Sequence, residues 1–247
     1  MNKQMKEVSI EEIVETFDRR YYRKKMTNLC ISFLIVLLGV TSLCYGLSLE
    51  STPTIFRFMT VDGTIFTTLG AIAFIGVNLV EILNHTELTN MFVYYIRLSA
   101  AVAESVILIV VMTSRLPFFS EHLQLANRYD TFAMHLLIPL LGISSFLIND
   151  SPIGKLTPKQ RWNGTWFVTF YAVVILSLIV TKALPAHLIP YFFVDIWQTP
   201  WHMIAFAFFF VYGITYLMSW RLSEWNRKLS WLWFRNIAGK KPGDSGR

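Results

Sequence analysis

A chain of 247 residues with 54% hydrophobic and only 15% charged residues falls outside the soluble balance, in which about a quarter of residues are charged. Its net charge of +6 is carried mostly by the two ends and points to an anionic membrane surface rather than to nucleic acid. The two cysteines, Cys30 and Cys44, fall on one predicted helix about 21 Å apart by helical rise. That spacing excludes a bridge between them, and with no metal-ligand spacing in the chain no metal or cofactor is expected.

Met1 to Lys25 lacks the short apolar core and small cleavage-site residues of a secretory leader, so the first apolar run is expected to stay in the chain. Ser9-Ile10-Glu11-Glu12 reads as a capping box, with Val8 and Ile13 placed to staple it. Ile10, Ile13, Val14, Phe17 and Tyr21 then recur at helical spacing. An amphipathic helix is predicted over 9–24, and its basic end, Arg19 to Lys25, suits a helix lying among anionic headgroups. A purely topogenic charge cluster accounts for the same residues.

Six apolar runs follow, 28–49, 58–83, 92–114, 131–149, 162–184 and 202–221, each long enough to cross ~30 Å of hydrocarbon as a helix. Short connections favour antiparallel neighbours, and no internal repeat suggests an inverted-repeat transporter. The expected fold class is therefore an all-α integral membrane protein. It is a six-transmembrane helix bundle with an N-terminal amphipathic interfacial helix. The chain divides into a basic segment 1–27, the bundle 28–221 and a basic, tryptophan-rich tail 222–247.

Lys and Arg outside the runs set the orientation. Seven lie in the N-terminal tail, three in the 150–161 loop (Lys155, Lys159, Arg161) and seven from Arg221 onward, against four on the other side: Arg57, Arg115, Arg128 and Lys182. The positive-inside rule places both termini in the cytoplasm. The second, fourth and sixth runs then begin at the outer face. Thr60, Asp62, His135 and His202 fall in their first turns, and the outer loop Pro185 to Trp201 adds His187, Tyr191 and Asp195.

Thr60, Thr64 and Thr67 share one helical face, while Gly63 and Gly70 mark a surface for close approach of another helix. Thr64 and Thr67 read as packing residues or as donors to carbonyls one turn back. Thr60 differs, with Arg57 one turn before it and Asp62 two residues after. A hydroxyl becomes a useful nucleophile when a base removes its proton, and His135 is the candidate base. Pro139 lacks the N–H that would bond to the carbonyl of residue 135, so a loosened turn is expected beside the histidine. A carboxylate on the far ring nitrogen would orient the imidazole, and Asp62 and Asp195 are both candidates.

Arg97 and Glu104 lie on one face of the third run, and Glu81 is placed to pair with Arg97; these three are read as structural polar groups. His85 and His122 fall in predicted loops and read as solvated. His187, Asp195 and His202 with His135 lack the spacing of a recognised metal set. A non-enzymatic transporter, lipid-binding or interaction protein with a buried polar network is the alternative to an enzyme.

Three segments carry a resemblance: Phe58-Met59-Thr60, Met134-His135-Leu136-Leu137-Ile138-Pro139 and Pro190-Tyr191-Phe192-Phe193-Val194-Asp195. Together, in order and placement on six spans, they resemble the androgen-induced-gene-one family of membrane hydrolases, above all its bacterial six-span relatives. The resemblance implies a membrane-embedded threonine hydrolase in a bacterial cell membrane, acting on a fatty acyl ester among membrane lipids. The animal members cleave fatty acid esters of hydroxy fatty acids. The family's nucleophile falls on Thr60 and its histidine on His135, while the tyrosine and acidic residue of its loop fall on Tyr191 and Asp195. Val61-Asp62-Gly63 departs from the family, where uncharged amides or serine tend to follow the threonine, and Phe192 stands where the loop usually has proline. Arg57, Asp62, Tyr191, Asp195 and His202 are thus expected to support the site or bind substrate.

Overall fold

The structure, a computed structural model, describes residues 10–49, 54–84, 91–114, 128–149, 154–190 and 195–238. Ser9, His85, His122 and Tyr191 lie outside the described residues. Six of the helices are long and apolar enough to cross a membrane. They are α1 (Ile10–Leu49), α2 (Met59–Asn84), α3 (Met91–Ser114), α4 (129–149), α5 (Pro158–Val180) and α6 (Trp201–Ala238). A 3-10 turn, Thr54–Arg57, leads into α2, and another, Ala186–Leu188, lies between α5 and α6.

The first and last helices run well past their apolar stretches. Neither Gly nor Pro interrupts residues 10–38 or 214–238, so nothing in the backbone ends the hydrogen-bond ladder there. The amphipathic segment is accordingly not a separate helix, because it continues unbroken into the first span as a helix of 40 residues. The start of the tryptophan-rich tail likewise extends α6 to 38 residues.

α3 is the central helix, buried without interruption from Arg97 to Ile107, and it packs on α2, α4, α5 and α6. α1 packs on α2 and α4. Between helices in lipid, apolar burial supplies little net drive, so close approach and polar bonds carry the association. Gly39 of α1 sits against Thr68, where a methyl group would overlap the hydroxyl. At Gly63 of α2 a Cβ would lie 2.7 Å from Ile107 Cδ1. A Cβ at Gly70 would meet nothing within 4 Å among the described residues, so they make no close approach there.

Polar bonds zip one end of the bundle. Lys25 on α1 pairs with the fully buried Glu81 at 2.5 Å and lies 5.3 Å over the Tyr21 ring. Lys25 is thus a partner of Glu81 that sequence reading did not foresee. Arg97 donates to the Ser145 hydroxyl on α4 at 2.6 Å and stacks 4.4 Å over Phe74, and that hydroxyl donates in turn to Asn28 Oδ1 at 3.2 Å. Asn226 on α6 donates to the Phe146 carbonyl at 2.9 Å. Further along, Thr67 donates to Glu104 at 2.6 Å rather than to a carbonyl one turn back. At the opposite end, Tyr129 and Thr41 hydroxyls meet at 2.6 Å, which with Asn28 and Ser145 fixes α1 and α4 as antiparallel neighbours.

Candidate active site

The site lies where α2 and α4 begin. The Phe58 carbonyl accepts the N–H groups of Val61 and Asp62 at 3.0 and 3.2 Å, starting α2. The Tyr171 hydroxyl of α5 donates to the Arg57 carbonyl at 2.6 Å and anchors that entry to a second helix. Met59 buries itself against Val106, Ile107, Tyr171 and Ile175. The next residue, Thr60, is left half-buried at the edge of this cluster.

α4 is fixed just ahead of His135. Arg128 grips Asp130 with two bonds of 2.7 and 3.1 Å, and the buried Asp130 places its negative charge in the first helical turn, where the helix dipole favours it. Tyr129 is held by Thr41 and packs edge-on against Tyr45. Residues Ala133–Leu137 then form a π-turn, in which the Ile138 N–H reaches the Ala133 carbonyl five residues back. Such widened turns occur mostly as single insertions in α-helices and often at functional sites. Pro139 follows directly and has no N–H to restore the tighter pattern, so the loosened turn expected from sequence takes this form.

His135 stands in the middle of that turn. Its Nδ1 lies 2.8 Å from the Thr131 carbonyl, and its Nε2 lies 3.4 Å from the Thr60 hydroxyl. A carbonyl only accepts, so Nδ1 carries the proton and donates it. In the neutral ring the Nε2 lone pair then faces Thr60, whose hydroxyl donates to it. That is the tautomer a base needs to take a proton from Thr60. The separation is at the long end of hydrogen bonding, as is common for such pairs before substrate tightens them.

The group that orients the ring among the described residues is a backbone carbonyl. Among the described residues neither Asp62 nor Asp195 bonds to His135. Asp62 is half-buried and its carboxyl makes no hydrogen bond there. The buried Asp195 closes its own turn, its Oδ1 accepting from the Trp197 N–H at 3.1 Å and its carbonyl from Thr199 at 2.9 Å. That turn lies in the segment between α5 and α6, whose Leu184, Ile189 and Ile196 pack on the cluster holding Met59. His202 is exposed, its ring edge-on to Trp201 at 6.0 Å, and His187 is exposed as well. Among the described residues no three His, Cys, Asp or Glu side chains gather as a metal-binding set.

Arg57 is linked to this region through Phe58. Its guanidinium lies 4.7 Å over the Phe58 ring, and Phe58 packs with Val61 and with Met134, the neighbour of His135. Its Nε and Nη1 are buried with no hydrogen-bond partner among the described residues. Donors left unmade are costly, so this guanidinium is suited to an anion or a developing oxyanion. Glu81, Arg97 and Glu104 belong to the interior network instead. Sequence reading missed three contributors. Asp130 and Tyr171 are single polar groups in or beside apolar runs, and the Thr131 carbonyl has no residue-type signal at all.

Compared with protein-family models, curated proteins and solved structures, the chain matches none.

Proposed function

We propose that the chain is an integral membrane hydrolase of lipid esters, with Thr60 as nucleophile and His135 as general base and then acid. The observation that carries this reading is the aligned chain Thr131 carbonyl, His135 Nδ1–H, His135 Nε2, Thr60 hydroxyl. Thr60 Oγ1 attacks the ester carbonyl carbon as Nε2 takes its proton. The tetrahedral oxyanion draws on nearby donors, of which the Arg57 guanidinium has two unpartnered buried N–H groups. His135 returns the proton to the departing alcohol, leaving an acyl-threonine, and a water activated by the same nitrogen releases the fatty acid. The resemblance of the three segments to the androgen-induced-gene-one family supports a fatty acyl ester of hydroxy fatty acid type as substrate.

In this reading both termini face the cytoplasm of a bacterial cell, and the site opens at the outer membrane boundary. The start of α1 lies among anionic headgroups. Asp195 lies in the segment between α5 and α6 whose Ile189 and Ile196 pack on the cluster holding Met59, which in this reading is the outer loop beside the site. The purified protein in detergent is expected to hydrolyse chromogenic and branched fatty acid esters. Unchanged turnover in both Thr60→Ala and His135→Ala would sink the mechanism.

A second reading, a non-enzymatic transporter or lipid-binding protein, is favoured by the polar interior. Glu104 Oε2 and Thr64 Oγ1 are buried with no hydrogen-bond partner, which suits a chain that passes or holds a polar species. Labelling of Thr60 by fluorophosphonate or lactone probes separates the two, since only the hydrolase is labelled.

A further inference from the structure

At the end of the bundle away from Thr60 and His135, α5 starts with a tightly built turn. Thr157 and Gln160 form a reciprocal capping box with Pro158 in the first helical position, an arrangement that fixes the helix start. The turn ends on Arg161, whose carbonyl accepts from Ser219 of α6 at 2.5 Å. Gly164 lies so close to Ser219 that a side chain there would collide with it. The backbone carrying Arg161 is thereby locked to α6 at Trp220.

Trp220 carries two guanidinium groups. Arg161 Cζ lies 5.1 Å from the ring centroid and Arg221 Cζ 4.8 Å. By those distances the two charges are within about 10 Å of each other, no more than one Debye length at 0.1 M salt. Among the described residues no carboxylate pairs with either. Arg161 Nε is in addition buried without a hydrogen-bond partner. A nearby carboxylate, Glu224, is ion-paired with Arg227 at 2.7 Å, and Lys155 and Arg161 act on it electrostatically without pairing with it. Like charges and an unmade buried donor call for an anion with several oxygens.

The surroundings say what kind. Trp162, Trp166 and Trp225 are exposed apolar rings around this end of α5 and α6, and indole rings favour the headgroup level of a bilayer. We propose that Arg161 and Arg221, stacked on Trp220, seat the phosphate of an anionic phospholipid, with its acyl chains along the exposed tryptophans. Guanidinium suits this task because its fixed fork of donors matches phosphate oxygens and its plane stacks on an aromatic ring. The seat is independent of the hydrolase reading.

The test uses the full-length protein in an uncharged detergent, with thermal unfolding and native mass spectrometry as readouts. Phosphatidylglycerol, phosphatidylcholine and inorganic phosphate are the three additives. Phosphatidylglycerol is expected to raise Tm and remain bound, with little effect from phosphatidylcholine and none from inorganic phosphate. The Arg161→Gln/Arg221→Gln pair should weaken retention roughly fivefold per guanidinium removed, and Arg221→Gln alone, at an exposed side chain, guards against misfolding of the pair. Lys228→Gln, an exposed charge farther along α6, should retain the lipid as the wild type does. Equal retention by wild type and Arg221→Gln overturns the proposal. So does a loss in Lys228→Gln as large as in Arg221→Gln, or an inorganic phosphate effect equal to that of the lipid.

Discussion

An imidazole that donates from one nitrogen to a carbonyl has already selected which nitrogen is free to act as a base. For His135 the selection is made inside its own helix, through the Thr131 carbonyl, so it does not depend on the surrounding loops. His135→Ala is accordingly expected to lower kcat by about 10²–10⁴, the usual share of a general base, with folding intact by circular dichroism. Thr60→Ser should keep measurable turnover, and Thr60→Ala should abolish it. Tyr171→Phe removes a bond to the Arg57 carbonyl and is expected to cost about 1 kcal/mol of stability, read as a lower Tm together with a raised KM. Thr60 and His135 were legible in the sequence because their chemistry, order and level on the spans agree. The partner of Nδ1 was not, because every residue carries a carbonyl and only the fold says which one an imidazole meets.

Along α4, the π-turn and Pro139 act together to hold His135 in a segment whose backbone bonds run five residues back. Pro139→Ala supplies the missing N–H and should let the turn tighten towards regular α-helix. We expect Tm to rise and ester turnover to fall in that variant. Unchanged turnover would show that the turn is held by the Arg128–Asp130 and Thr41–Tyr129 contacts alone. The proline made the loosened turn readable from sequence, but its five-residue bond did not follow from any residue type. The six spans were readable from apolar length, whereas the full reach of α1 and α6 was not. Their polar extensions carry no breaking residue, yet charge and tryptophan content drew attention to the membrane surface instead of to helical continuity.

For the molecule as a whole, the strongest test of packing is the Lys25–Glu81 pair joining α1 to α2. Lys25→Met alone removes the ammonium from a buried carboxylate and is expected to cost up to about 3–5 kcal/mol, whereas adding Glu81→Gln should recover part of that loss. Thermal unfolding of the two singles and the double closes the cycle. Sequence reading missed this pair because Lys25 ends a run of basic residues that all look like headgroup contacts. A related consequence concerns α6. Among the described residues its buried side chains, Thr215, Ser219, Leu222, Ser223, Asn226 and Ser230, all lie from Thr215 onward, while Trp201, Phe206, Phe209 and Phe210 ahead of them are exposed. Mechanically the helix is a beam clamped at one end. Val211 and Ile214, just ahead of the clamped part, pack on the cluster that holds Met59, one residue from Thr60, so any deflection of the exposed arm would reach the site first through them.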